Sequence, residues 1–441
     1  MATGEKKKSH LGLRIAIVLV IAAALGISLI WETKINIALG FGPKEVAGVA
    51  RESIDLDVHF VDVGQGDACI LELPDDRVML IDSGEKDSDD KLIAYIDEHI
   101  RRDGKKLDYF DIAMVTHSDS DHCGEMADVL KQYPAKNFYR PNVAADRDGY
   151  VDPGIAAGDL YGDYCAKSTV AYMTAIEAGY AGVEQLGGEA YATNALDEAQ
   201  NVIKPTGIAP GQPGYYTLTL YTPTVDTYKT GSSDPDWNNY SPIMILEYEG
   251  KRMALSGDAE KEAEAEFVEL VERGEGKFSI FNDSFYVNLI KLGHHGSRTS
   301  SSQGYLDAIT APGSCAATFA VISCGKDNKY KHPHTETLER LSAMGFDGKN
   351  ILRTDEIGTI VATVKLNEQF VYDLFIGGAT AGEVAMFAWR WLYIAGIILA
   401  VAVVLLLVLP AFFAHGGRIE VGGGKKGGAR KRSGGNRGGR R

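Results

Sequence analysis

Asp111-Ile112-Ala113-Met114-Val115-Thr116 is a short apolar run of strand type, and His117-Ser118-Asp119-Ser120-Asp121-His122 follows it without a gap. Four potential metal ligands, His117, Asp119, Asp121 and His122, fall within six residues. Two imidazoles and two carboxylates around one turn can feed two cations. Neutral imidazole suits zinc, and carboxylate oxygens suit harder ions. A polar loop with an aspartate capping a helix that begins near Gly124 would carry the same residues.

Two further loops share the pattern. Ser256-Gly257-Asp258 puts a carboxylate just past a strand at 252–255, and Lys291-Leu292-Gly293-His294-His295-Gly296-Ser297 puts two histidines past another at 287–292. The chain has ten histidines, and four of them sit in the 117–122 and 294–295 loops. Three such loops after three strands are most economically read as one site, because open α/β sheets place their chemistry at strand ends.

Around these loops the pattern alternates. Strands are expected at 56–63, 68–73, 78–82 and 111–116, and a helix at 89–102 with Leu92, Ile93, Ile96 and Ile100 on one face. Residues 142–214 are Gly- and Ala-rich with many tyrosines and read as an insertion holding one or two helices. Strands are expected again at 216–221, 242–248 and 252–255, then a Glu-rich helix at 260–273. A strand at 287–292, a helix at 302–309, a strand at 319–323 and a helix at 335–343 follow. Strands near 351–353, 359–364 and 370–374 close the part. Mixed strands and helices with polar motifs at strand ends predict a layered α/β protein.

Of the 441 residues, 45% are apolar and 24% charged, which excludes a disordered, collagen-like or disulfide-scaffold chain. The formal charge of -15 is unevenly spread. Residues 1–31 hold four basic and one acidic side chain, and 386–441 hold ten and one. The middle keeps 31 basic against 58 acidic groups, a net of -27. Residues 15–31 and 391–413 are uncharged, mostly apolar runs of seventeen and twenty-three residues, which predict a transmembrane anchor (or a signal peptide) and a transmembrane helix. Lys6, Lys7, Lys8 and Arg14 precede the first run, and nine Lys/Arg from Arg418 to Arg441 follow the second. The charge bias puts the basic tail 1–14 and the Gly-rich tail 414–441 in the cytoplasm and the part between the two spans outside the cell. The basic tail suits anionic lipid, with nucleic acid as a second partner. No protein partner is identifiable. Five cysteines, an odd number, predict no disulfide framework, with Cys69 and Cys324 read as buried thiols.

The joint pattern His117-x-Asp119-x-Asp121-His122, Gly257-Asp258 and His294-His295-Gly296-Ser297 resembles the metallo-β-lactamase superfamily. More narrowly it resembles the hydrolase domain of ComEC-type DNA-internalisation competence proteins and their secreted relatives. The narrower likeness rests on the strings 60–68 (FVDVGQGDA), 81–84 (IDSG), 238–241 (NNYS), 328–334 (NKYKHPH) and 353–355 (RTD), in family order from about 54 to 376.

The resemblance implies an αβ/βα metallo-β-lactamase-like sandwich over 54–376, interrupted by the insertion at 142–214. It implies two divalent cations, zinc with manganese a candidate at the first position, that activate a hydroxide. His117 and Asp119 would face the first, Asp121 and His122 the second, and Asp258 would bridge. His294 would complete the second, with His295 as the alternative. Asp121 would also orient the nucleophile. His332, His334, Lys291 and Ser297 are candidates for phosphate contact or leaving-group protonation. His334 also suits the start of a helix at Thr335, and Lys291 a solvated position. Gly64, Gly66 and Gly84 are expected in tight turns beside the site. Asp119 stands where most of the superfamily have a histidine, and no histidine lies between 122 and 258. That departure argues against β-lactamase activity. The implied activity is a membrane-anchored extracellular phosphodiesterase or nuclease. Its substrate would be DNA or a small cell-envelope phosphodiester, as for secreted relatives that remove phosphorylcholine. The alternative is a non-catalytic surface binding or scaffold protein on the same fold.

Overall fold

A computed structural model describes the chain between residues 54 and 380, apart from 87–89, 147–149, 155–164, 168–169, 194–200, 224–236, 274–285, 311–314, 316–317, 367–371 and 377–378. The expected spans at 15–31 and 391–413 and both basic tails lie outside the described residues. Among the described residues no helix is long and apolar enough to cross a membrane.

The first half supplies β1 (Leu56–Phe60), β2 (Cys69–Glu72), β3 (Val78–Ile81), α1 (Lys91–His99) and β4 (Phe110–Met114). It continues with α2 (Ser120–Cys123), α3 (Met126–Gln132), β5 (Ala135–Arg140), α4 (Val170–Leu186), β6 (Ala190–Ala192) and β7 (Val202–Ile203). The second half supplies β8 (Tyr216–Tyr221), β9 (Ile243–Tyr248), β10 (Lys251–Leu255), α5 (Lys261–Arg273), β11 (Leu289–Lys291), α6 (Gln303–Ile309) and β12 (Phe319–Ile322). It ends with α7 (Thr335–Ala343), β13 (Ile351–Arg353), α8 (Thr354–Ile357), β14 (Ile360–Leu366), β15 (Tyr372–Ile376) and β16 (Ala379–Thr380).

The strands form a nine-stranded sheet in the order β6-β5-β4-β3-β2-β1-β14-β15-β16 and a seven-stranded sheet in the order β7 to β13. Alternation along the strands explains how the sheets are sandwiched. Leu56, Val58 and Phe60 of β1 point to a core shared with Leu218, Leu246, Leu289 and Val321 of the other sheet. Ile70, Val78 and Leu80 point the opposite way, onto Leu92 and Ile96 of α1, Val129 of α3 and Ile176 of α4. The second sheet's outer residues, among them Ile245, Ala254 and Ile290, pack on Phe267 of α5, Leu306 of α6 and Leu341 of α7. Both faces of each sheet are therefore buried, and the layers run helix, sheet, sheet, helix, as expected for an αβ/βα sandwich.

Some boundaries differ from expectation for local reasons. The first strand stops at Phe60 because Asp62 turns the chain, its Oδ1 accepting the Gly64 N–H at 3.1 Å. The first helix stops at His99, and Arg101–Arg102 pairs instead with Lys105–Lys106 across Asp103-Gly104, both at positive φ. The insertion does hold a helix, α4, and it also gives each sheet an edge strand, β6 beside β5 and β7 beside β8. Cys69, Cys123, Cys315 and Cys324 are buried and free.

Candidate metal centre

β3 and β4 run parallel, as do β10, β11 and β12, so their C-terminal ends gather at one edge of the sandwich. Asp82 follows β3, His117 follows β4, Asp258 follows β10, His294 and His295 follow β11, and Ser323 follows β12. The strands bring these residues together across more than two hundred positions of sequence.

The tightest group is Asp67, His122, Asp258 and His295, each buried, with one donor atom apiece inside 4.8 Å of the others. His122 Nε2 lies 3.1 Å from Asp258 Oδ1 and 3.3 Å from His295 Nε2. His295 Nε2 lies 3.3 Å from Asp121 Oδ2 and 3.5 Å from Asp258 Oδ2. Donors held about 2.0–2.2 Å from one tetrahedral ion would stand roughly 3.3–3.6 Å apart. The observed separations among His122, Asp258 and His295, and of Asp121 from His295, fall near that range.

A second set adjoins it. His117 is fully buried, and its Nε2 has no hydrogen-bond partner. That atom lies 3.9 Å from Asp258 Oδ2 and 3.8 Å from Asp119 Oδ2. Its other nitrogen, Nδ1, meets the hydroxyls of Thr116 (3.1 Å) and Ser241 (3.2 Å). Asp119 sits at the N-cap of α2 but makes no side-chain capping bond, so its carboxyl is not a structural cap. The contrast with His59 is instructive. That buried histidine stands between two carboxylates, Asp57 and Glu72, but its nitrogens meet Tyr95 Oη (2.8 Å) and Glu72 Oε2 (3.2 Å).

Each imidazole is oriented from behind. Asp82 Oδ2 stands 2.7 Å from His122 Nδ1 and also accepts the Thr116 hydroxyl at 2.7 Å, while Oδ1 accepts the Thr116 N–H at 2.8 Å. A carboxylate accepts, so Asp82 holds a hydrogen on His122 Nδ1 and leaves Nε2 as the atom that faces Asp258. His295 Nδ1 donates to the Ser323 carbonyl at 3.0 Å, with Asp67 Oδ1 at 3.2 Å. His294 Nδ1 is held by Glu260 Oε1 at 3.1 Å, leaving its Nε2 3.7 Å from Asp258 Oδ2. His294 and His295 are both left-handed, at φ 51° and 54°, and this reversal sends their rings to different sides. The tight group thus contains His295, while His294 sits at the rim. Gly66 closes the back of the site. At φ 124°, a Cβ there would come 2.2 Å from the Asp121 carbonyl oxygen.

Electrostatics follow from burial set against charge. Burial and the neighbouring His122 push the His117 pKa down to about 4. Burial opposes charge on His295 too, but Asp258 and Asp67 raise it to about 10. Against the same burial, Asp258 and Asp82 hold His122 well above the usual histidine range. Burial would raise Asp258, yet His122, His295 and His294 hold it well below the carboxylate range. Burial, then Asp121 and Asp258, push Asp119 up.

The four residues expected at the substrate are placed unequally. Lys291 is buried rather than solvated, with its Nζ on Asp67 and on the Leu292 carbonyl at 3.0 Å. Its ammonium therefore braces the site from inside. Ser297 is buried in its turn, 3.0 Å from the Thr299 hydroxyl. His334 is the N-cap residue of α7, and its Nδ1 accepts the Arg298 N–H at 3.0 Å. His332 packs on the imidazoles, its ring 5.3 Å from that of His294 and 5.9 Å from that of His295. Burial and those two neighbours lower its pKa to about 4. Asp67, Asp82, Glu260 and Ser323 were not anticipated, although Asp82 repeats the pattern of a carboxylate just past an apolar strand.

A mixed α/β sandwich with a carboxylate–imidazole donor set at its strand ends resembles the metallo-β-lactamase superfamily. Lactamase_B, the metallo-beta-lactamase superfamily, matches residues 61–156. Within that class the chain resembles ComEC-type competence proteins. It is 25% identical to ComE operon protein 3 of Bacillus subtilis (strain 168) over 321 residues, covering 69% of this chain and 32% of the relative. It is 29% identical to competence protein ComA of Neisseria gonorrhoeae over 156 residues, covering 35% and 18%. The chain spans about a third or less of these relatives' length. A solved structure, Igni18, a novel metallo hydrolase from the archaeon Ignicoccus hospitalis, is 16% identical with a TM-score of 0.37, covering 70% of this chain and 98% of that one.

Proposed function

We propose that the chain is a metal-dependent phosphodiesterase that holds two divalent cations. Asp121, His122, Asp258 and His295 would hold one, His117 and Asp119 the other, with Asp258 shared. The observation that carries this reading is the buried, unpartnered His117 Nε2 facing Asp258 and Asp119 beside the four-donor group. A buried nitrogen without a partner is costly unless something binds it.

Bound cations supply Lewis acidity toward a phosphoryl oxygen and a water acidic enough to act as nucleophile near neutral pH. The chain's own residues do the rest. Asp82, Ser323 and Glu260 fix which nitrogen of each imidazole faces inward. Asp121, still partly open to solvent, can orient a water. His294 at the rim, held by Glu260, is placed to protonate a leaving oxygen. The imidazoles suit zinc, and the carboxylate beside His117 leaves manganese a fit at the His117 and Asp119 position. We further propose that the apolar runs at 15–31 and 391–413, with their basic flanks, anchor the domain on the outer membrane face.

Metal content by mass spectrometry and turnover of bis-p-nitrophenyl phosphate test the site together. Two ions per wild-type chain are expected, about one in His117→Ala, and a deficit of both in Asp258→Asn with loss of turnover. Two ions retained in Asp258→Asn would refute the shared carboxylate.

A further inference from the structure

Asn238-Asn239-Tyr240-Ser241 supplies no donor atom to the cation positions, yet it reaches them from behind. Trp237–Tyr240 is a 3-10 turn that leads into β9. Ser241 is fully buried, and its Oγ accepts the Asp258 N–H at 3.1 Å while lying 3.2 Å from His117 Nδ1. Asn239 Oδ1 accepts the Glu260 N–H at 3.0 Å. The turn and the Asp258 loop are in close contact, since a Cβ on Gly257 would stand 3.0 Å from Ser241 Cβ. Ser241 therefore meets two members of the first cation position at once, His117 and the shared Asp258.

The other side of this turn rests on the insertion. Val143 and Tyr240 are each 1% exposed and pack on one another, with Trp237 against them, in a small apolar cluster distinct from the larger cores. The rings of Trp237 and Tyr240 lie 5.4 Å apart. Val143 is held through its backbone. Its carbonyl accepts the Tyr172 hydroxyl of α4 at 2.9 Å and an N–H of the Arg140 guanidinium. Arg140 is paired in turn with Asp152 at 2.7 and 2.8 Å, and Arg140, Asp152 and Tyr172 are all buried. Charge-assisted bidentate bonds fix geometry as well as adding energy. A surface loop would hold Val143 far less firmly.

We propose that the insertion is a buttress for the first cation position, with Val143 and Tyr240 as its positioning residues. This rests on the two-cation reading of the site. Packing of Val143 on Tyr240 fixes where the 3-10 turn lies, and the turn carries Ser241 to His117 and Asp258. His117 Nε2 and Asp258 Oδ2 stand 3.9 Å apart, and metal–ligand distances must hold to about 0.2 Å. A close-packed interior transmits the loss of a methyl group as a shift of its neighbours. The second position is supported differently. Its imidazoles, His122 and His295, are oriented by Asp82 and by the Ser323 carbonyl, bonds in which residues 237–241 take no part. A cavity at Val143 should therefore loosen one ion and spare the other.

Zinc competition against a fluorescent chelator on the full chain, read as two stepwise affinities, tests this. Val143→Ala should weaken one ion by threefold or more, inside the span of about 2–30-fold by which packing changes modulate a coupled site. The other ion should weaken by less than threefold. In a His117→Ala background, which lacks the first position, Val143→Ala should change the remaining affinity by less than threefold. Val364→Ala trims the same two carbons from a fully buried valine of β14. Val364 pairs with Leu56, at the end of β1 away from the loop that carries Asp67, so both ions should again weaken by less than threefold. The buttress is overturned by a first ion that Val143→Ala leaves within threefold of wild type, or by equal loss of both ions. It is also overturned by an equal loss in Val364→Ala, or by an effect that persists without His117. Two zinc ions in wild type together with any of those results removes only the insertion's role. Fewer than two zinc ions in wild type removes the two-cation reading, and the buttress with it.

Discussion

Asp82→Asn isolates the orienting role of one buried carboxylate. Asp82 sits at φ 58°, a left-handed conformation that asparagine tolerates well, so the backbone should survive. The new carbonyl can accept the Thr116 N–H as Oδ1 does now, at 2.8 Å. The amide nitrogen then replaces Oδ2, 2.7 Å from both the Thr116 hydroxyl and His122 Nδ1. The hydroxyl can turn and accept. His122 cannot donate to a donor, so its hydrogen must move to Nε2, the atom 3.1 Å from Asp258 Oδ1 and 3.3 Å from His295 Nε2. The opposite amide rotamer meets the Thr116 N–H with its own NH2 and loses that bond instead. Either way the ligand lone pair is lost or costly to keep. Loss of a carboxylate behind a ligating histidine weakens metal binding by about 10–100-fold, or about 1.4–2.7 kcal/mol. Chelator competition on the full chain reads the affinity, and thermal melting of the metal-free protein checks the fold. Affinity within about twofold of wild type, with unchanged melting, would refute the tautomer argument.

Two other sites give expectations of a different kind. Arg140 and Asp152 are fully buried and bidentate, at 2.7 and 2.8 Å, and they tie the insertion to β5. Asp152→Ala strands a buried guanidinium and should cost about 3–5 kcal/mol in urea unfolding, with Arg140→Met plus Asp152→Leu recovering much of it. A loss under about 1 kcal/mol in the single variant would mean that the charge escapes to water. Glu264 is buried and accepts the N–H groups of Ser301 (2.6 Å) and Ser302 (2.8 Å), yet burial raises its pKa from 4.5 to about 7. The folded state then binds more protons than the unfolded one between these values. Its contribution is fully present below about pH 4.5 and is lost as pH rises through about 7, a swing on the order of 3 kcal/mol. Glu264→Gln should remove that slope from a pH series of unfolding curves, and an unchanged slope would assign it to other groups.

Much of this architecture was legible because its signals are local. Tyr216–Tyr221 and Thr335–Ala343 have the bounds their periodicity indicates. His117, His122 and Asp258 stand out because each follows an apolar strand within a few residues. What was not legible depends on pairs distant in sequence. Asp82 supports His122 across forty residues and Ser323 supports His295 across twenty-eight, and neither pairing leaves a local trace. The contrast between His294 and His295 turns on two consecutive left-handed residues, which a string of letters does not show. Lys291 reads as a solvated or phosphate-binding lysine until Asp67, brought in by a loop of the other sheet, is placed against it.

The charge arrangement bears on what the site can hold. Asp67, Asp82, Asp119, Asp121, Asp258 and Glu260 surround four imidazoles within one end of the sandwich. In such a field protons gather on His122 and His295, and the carboxyls of Asp121 and Asp258 stay ionised well below their usual range. Divalent cations would answer the same field better than protons do, since each brings two charges and can meet several oxygens at once. Metal binding and imidazole protonation therefore compete, and the site should bind cations less well as pH falls. With two cations in place the donor set is no longer a strongly negative pocket, and a phosphoryl group can approach it despite the acidity of the surrounding domain.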